Sequence, residues 1–145
     1  MTKGKINKRV ILDRVSYLNE MLNILFDFKK MKKEEFINDV HMVASFESHL
    51  RRGLECLFDL GRHILAKEFA YPASEYKEIA IKLLEKDVLS ESDATKLKKM
   101  AGYRNRMVHF YNEVTKEELY EIAKNDIDDI PIILESLKEL LKKKK

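Results

Sequence analysis

The strongest constraint on this chain is an apolar stripe of unusual length. Between Phe36 and Phe69, the residues Val40, Val43, Phe46, Leu50, Leu54, Leu57, Leu60, Ile64 and Leu65 fall mostly three or four positions apart. That spacing puts them on one face of an α-helix. A stripe this long has to be covered, and the natural cover is a second helix lying alongside. Globular helices average roughly 10–14 residues, so an interruption is expected near residues 40 to 45. The whole chain has four Gly, two Pro and no Trp in 145 residues. A sandwich or barrel would need many more turn residues. The expectation is an all-α antiparallel helical bundle of about five to six helices.

The remaining helices can be placed by the same reasoning. Val10, Ile11, Val15, Leu18, Leu22, Leu25 and Phe26 predict a first helix from residue 6 to about 30, ended by the polar run "KKMKKEE". Pro72 in "AYPAS" stops the long helix, and Ser74 is the expected N-cap of the next, which reaches about Glu85. Ser90 with Asp93, and Thr115 with Glu118, are capping-box patterns that open two further helices. Pro131 should kink or break the last helix near Ile130. Residues 1–145 read as one domain, with Lys142 to Lys145 as a short basic tail.

Charge and cysteine content narrow the function classes. The net charge, 28 − 25 = +3, is too small to argue for nucleic acid by itself. Cys56 is the only cysteine, which rules out an intramolecular disulfide and a cysteine-based zinc site. No apolar run approaches the ~18 residues of a membrane span. The N-terminus turns charged before a signal-peptide core can form. The expected location is the cytoplasm, with no membrane partner, cofactor or metal.

The chemistry concentrates in "GYRNRMVHFYNEV", residues 102 to 114. On a helix, Asn105 and His109 are four apart and share a face, and the long side chain of Arg104 reaches the same patch. Histidine exchanges protons near neutral pH. A guanidinium fork fits phosphate oxygens. An amide can orient either group. Such a set can cleave RNA without metal: a base deprotonates a ribose 2′-OH, arginine stabilises the charge on the phosphoryl oxygens, and a 2′,3′-cyclic phosphate is left. One helix supplies one histidine, whereas the reaction uses an acid and a base. Two copies facing across a two-fold axis would supply both. On spacing alone the same residues also fit a solvated helix end, where a cationic histidine is favoured by the dipole.

The segment "RNRMVHFY" resembles the signature of HEPN-domain ribonucleases, in the Arg–x4–His–x–Tyr form of the HepT-like toxins. The stretches "HLRRGLECLFDLGRHILA" and "YPASEYKEIAIKLLEKDVLSE" resemble the central helix and the second half of that family, over residues ~8 to 140. The resemblance implies a HEPN-like homodimer with a composite site at its interface, and metal-independent RNA cleavage. It assigns Arg104 and His109 as catalytic and Asn105 as supporting. It also implies a toxin–antitoxin pair, in which an MntA-like nucleotidyltransferase antitoxin silences the toxin by AMPylating Tyr111. The alternative is a non-catalytic helical module that binds a nucleotide, RNA or the transferase.

Other polar residues are open to two readings. Lys98, Lys99 and Arg106 form with Arg104 a basic patch that suits an RNA backbone, or a solvated surface. Glu55, Asp59 and His63 lie four apart on the central helix. They can meet the motif, or form a stripe that pairs with Arg51, Arg52 and Arg62. The acid-rich run from Glu117 to Asp129 can face a basic partner or solvent. Tyr103 can stack on a base or pack inside.

Overall fold

The computed structural model describes residues 5–109 and 114–143. It contains seven α-helices: α1 (Lys8–Lys29), α2 (Lys33–Ile37), α3 (Val40–Phe69), α4 (Tyr76–Glu85), α5 (Glu91–Val108), α6 (Lys116–Glu121) and α7 (Asp129–Lys143). A π turn, Ile122–Asp126, links α6 towards α7. No strand occurs among the described residues. The all-α bundle is the expected one, and the short α2 and the α6–π-turn segment account for the extra elements.

α1 and α3 form the antiparallel pair on which the rest is built. The Asn7 N–H meets His63, the Cys56 thiol meets the Arg14 carbonyl, and Phe28 packs against Phe46, so numbers rise along α1 as they fall along α3. Leu18, Leu22 and Leu25 of α1 and Leu50, Leu54 and Leu57 of α3 are buried in the core. At one end Phe28, Phe36 and Phe46 pack edge to face, centroids 5.4–6.2 Å apart, with Tyr120 of α6 against Phe36.

The predicted interruption of the long helix is real but falls earlier, at Asn38 and Asp39. Asp39 is in extended conformation, and its carboxylate accepts the N–H groups of His41 and Met42. A short acidic side chain that satisfies two orphan donors makes a better start than any residue in 40 to 45. From there α3 runs unbroken for 30 residues. It ends at Ala70, in the left-handed conformation (φ 53°), just ahead of Pro72. The cap of α4 is Glu75, not Ser74. The Glu78 carboxylate reaches back to the N–H groups of Ser74 and Glu75 and also accepts the Tyr71 hydroxyl, which removes the need for a serine cap. Ser90 and Thr115 cap α5 and α6 as expected. The break expected near Ile130 is present, and Pro131 does not kink α7 itself. It sits in the first turn of α7, where a missing N–H costs nothing, after the chain has turned at Ile127 and Asp128.

Two glycines have opposite surroundings. A Cβ on Gly61 would come within 2.9 Å of Ile79 and 3.1 Å of Leu83, so α4 lies too close for a methyl group. A Cβ on Gly102 would meet nothing within 4 Å. Gly61→Ala is expected to cost about 1–3 kcal/mol by overpacking. Gly102→Ala should gain roughly 0.5–1 kcal/mol, as for any open helix-interior site. Urea unfolding of the two variants checks the opposite signs.

Asn7 caps α1 by accepting the N–H groups of Arg9 and Val10, and its own N–H donates to His63 Nε2 at 3.2 Å. That bond requires a neutral imidazole. Burial first, then the nearby Lys67 and Arg14 charges, hold the His63 pKa below its ordinary value. The unfolded chain therefore binds this proton more readily, and stability falls as the pH drops through about 6.5 towards the lower folded value. Between about pH 7.5 and about pH 5, the wild type should lose more urea resistance than His63→Gln. Equal losses would rule out a role for His63.

Candidate active site

α5 carries the polar cluster at its C-terminal end. Ser90 starts this helix, and Ala94, Leu97, Met100, Ala101 and Tyr103 fix its inner face in the core. Arg104 and Asn105 ride on its last turn, and His109 is its C-terminal cap. The His109 backbone is extended and its N–H donates to the Arg106 carbonyl at 3.3 Å. His109 is exposed. Tyr111 lies outside the described residues.

Arg104 leaves α5 towards α3 and α4. Its Nε and Nη2 donate to one oxygen of Glu55, at 3.1 and 2.9 Å. Nη1 lies 3.5 Å from the Asn105 side-chain oxygen. The guanidinium carbon sits 4.5 Å from the centre of the Tyr76 ring. Arg104 is 22% exposed and Glu55 29%, so the pair is largely screened from bulk water. The second Glu55 oxygen lies 3.4 Å from Arg51 Nη1. Glu55 thus does both things its spacing allowed: it pairs along its own helix and meets the motif. Asp59 stays with Arg62 and Arg14. Glu55 also forms a wall of an open cleft of about 400 Å³ between α1 and α3, whose other walls include Arg14, Tyr17, Arg52 and Asp59.

The four expected patch cations do not share one surface. Lys98 is exposed. Lys99 lies 3.5 Å from Asp126 and over the Tyr103 ring. Arg106 makes a two-pronged pair with Glu118, both contacts at 2.8 Å, which raises its pKa. Tyr103 is packed rather than available to a base: its hydroxyl donates to Asp126 at 2.7 Å, and burial followed by that bond raises its pKa. Four acids of the run are spent within the chain, while Glu117 and Glu121 are exposed. Glu118 and Asp126 hold α5, Asp128 holds Lys29 of α1, and Asp129 lies 3.5 Å from Lys96.

The sequence pattern described as "Ribonuclease HepT-like" matches residues 17–137. The chain belongs to the HepT-like family. A relative, the tRNA nuclease HepT of Aphanizomenon flos-aquae (strain 2012/KM1/D3), is 20% identical over 132 residues, 91% of this chain and 90% of that protein. The tri-AMPylated HEPN toxin of Shewanella oneidensis, solved in complex with an MNT antitoxin, superposes with a TM-score of 0.82 at 18% identity. The match covers 90% of this chain and 97% of that one. YutE of Bacillus subtilis, a cytosolic protein, gives 0.81 at 18% identity over 96% of this chain and 93% of its own. At such identities the likeness establishes the fold, and it is the HEPN toxin fold. No described helix is long and apolar enough to cross a membrane.

Spacing along α5 did not point to Tyr76, because a contact between the start of α4 and the end of α5 leaves no local pattern. Arg106 and Glu118 should couple by about 0.5–1 kcal/mol, since both side chains are a third or more exposed and solvent screens the pair. A double-mutant cycle with Arg106→Ala and Glu118→Ala checks this, and additive losses would show no coupling.

Proposed function

We propose that this chain is the toxin of a HEPN/MNT toxin–antitoxin pair and acts as a metal-independent endoribonuclease, with Arg104, Asn105 and His109 at the reacting phosphate. The observation that carries the reading is the placement of these residues at the end of α5, in a chain of the HepT-like family. Arg104 is held by Glu55 with its charge partly exposed, as a phosphate ligand should be. His109 stands at the exposed end of the same helix.

A histidine takes the proton of a ribose 2′-OH. The 2′-oxygen attacks the adjacent phosphorus, and Arg104 stabilises the negative charge that builds on the phosphoryl oxygens. The bond to the 5′-oxygen breaks, and a second imidazole returns a proton to it. The products are a 2′,3′-cyclic phosphate and a 5′-hydroxyl. The second imidazole is His109 of another copy, so the active form is a homodimer with the site at its two-fold interface. Lys98 is the patch cation best placed to add backbone attraction. Lys99 and Arg106 would first have to loosen their acidic partners.

An MntA-like nucleotidyltransferase is the proposed antitoxin. It would transfer AMP from ATP to the Tyr111 phenol and release pyrophosphate. The added phosphate, two residues from His109, puts negative charge where the RNA phosphate belongs. The relatives support this: one is named a tRNA nuclease, and another is an AMPylated toxin bound to an MNT antitoxin.

The purified protein should cleave RNA in the presence of a chelator. His109→Ala should lower the rate by roughly 10²–10⁴-fold, the usual worth of a general acid or base. Wild-type activity in His109→Ala, or a monomer by light scattering at cleaving concentrations, would overturn the composite site.

A further inference from the structure

We infer that Glu55 and Tyr76 are positioning residues that set the aim of Arg104 towards the scissile phosphate, and are not incidental packing around it. The inference rests on the ribonuclease reading for its kinetic consequences and on geometry alone for its structural ones.

A guanidinium has five N–H donors in one plane. Two of them, on Nε and Nη2, go to a single Glu55 oxygen, and one on Nη1 points at Asn105. That leaves two donors, one on each terminal nitrogen. Nη2 keeps a donor on its outer side, and the Nη1 contact to Asn105, at 3.5 Å, is long enough to yield to a phosphate oxygen, so the terminal edge can present a fork to a phosphate. The edge occupied by Glu55 is the edge that a phosphate does not need. The carboxylate therefore orients the cation without closing its working end.

Tyr76 fixes the remaining freedom. An ion pair along one edge leaves the plane free to swing about that edge, and a ring at 4.5 Å against the face stops the swing. The ring is itself immobilised. Phe58, fully buried on α3, packs on it with centroids 4.8 Å apart, and Arg62 approaches it at 5.7 Å. Glu55 is likewise held from behind by Arg51. The three helices α3, α4 and α5 thus each supply one part of the arrangement: carboxylate, ring and cation.

Charge argues the same way. Glu55 bridges Arg51 and Arg104, so the cluster keeps a net positive charge for an incoming phosphate. A carboxylate that neutralised Arg104 outright would block anion binding. One shared between two cations leaves attraction in place.

The test uses the full chain with Glu55→Gln, Tyr76→Leu and Tyr76→Phe, each checked for an unchanged helical spectrum. The cleavage assay separates kcat from KM, and nitrogen-15 NMR follows the Arg104 Nε–H, assigned through Arg104→Lys. Misaimed but intact, Arg104 should bind RNA almost normally and stabilise the transition state poorly. Glu55→Gln should lower kcat about 10–100-fold with KM within about threefold, and Tyr76→Leu about tenfold. Tyr76→Phe keeps the ring and should restore kcat to within about twofold of wild type. The Arg104 Nε–H should exchange slowly in wild type and Tyr76→Phe and faster in Glu55→Gln. Unchanged or raised kcat in Glu55→Gln would overturn the inference, and so would equal Nε–H exchange in that variant. Should the wild type fail to cleave RNA at all, the ribonuclease reading falls, and the exchange rates alone decide whether Glu55 and Tyr76 hold the cation. A variant that does not fold leaves the decision to the substitution on the other helix.

Discussion

The burial of one stripe of α3 against α1 is the contact on which the rest of the structure depends. Among the described residues, α3 is the one helix that touches every other helix, and it is the longest, at 30 residues. Its leucines turn inward. Its opposite edge then presents Arg51, Glu55, Asp59 and Arg62 in a row. The apolar repeat and the polar row come from the same 3.6-residue period, so the helix that organises the core also delivers the carboxylate that meets Arg104.

A second level of order comes from charge. The segment from α6 through the π turn to the start of α7 buries Leu119, Ile122, Ala123, Ile127 and Ile130, and it is also fastened by acids. Glu118 holds Arg106, Asp126 holds Tyr103 and Lys99, and Asp128 and Asp129 hold Lys29 and Lys96. The π turn closes with the Ile127 N–H on the Ile122 carbonyl at 3.1 Å. It shifts the register so that Ile122 and Ile127 both reach the core while Asp126 faces α5. Each partly exposed pair is weak, and the set of them decides which way the C-terminal end of α5 is supported.

Much of this was legible in the sequence, for physical reasons that also explain the misses. Helical spacing located α1, α3, α4 and α5, because a long apolar stripe has few alternatives. Ser90 and Thr115 were readable as caps because their bonds are local. Ser74 was misread because Glu78, four residues on, takes over its job from the far side. Pro131 marked the break in the last segment to within a few residues, since the chain turns at Ile127 and Asp128 and the proline falls in the first turn of α7, which tolerates it. That Arg104, Asn105 and His109 lie together at one helix end was readable from their spacing within one helical turn. What holds Arg104 was only half readable: Glu55 stood out by its i, i+4 neighbours, whereas Tyr76 becomes visible only when α4 is laid over α3.

That overlay depends on Gly61. With only hydrogen on its Cα, α4 settles close enough for Ile79 and Leu83 to rest on the backbone of α3. Tyr76 lies one turn before Ile79 on the same rigid rod, so its ring height is set by that contact. The stacking plane offered to Arg104 is therefore fixed by the thickness of a helix–helix seam several residues away. A methyl group is the unit in which that seam is measured, and its omission at one position carries over into the angle at which the Arg104 guanidinium is held.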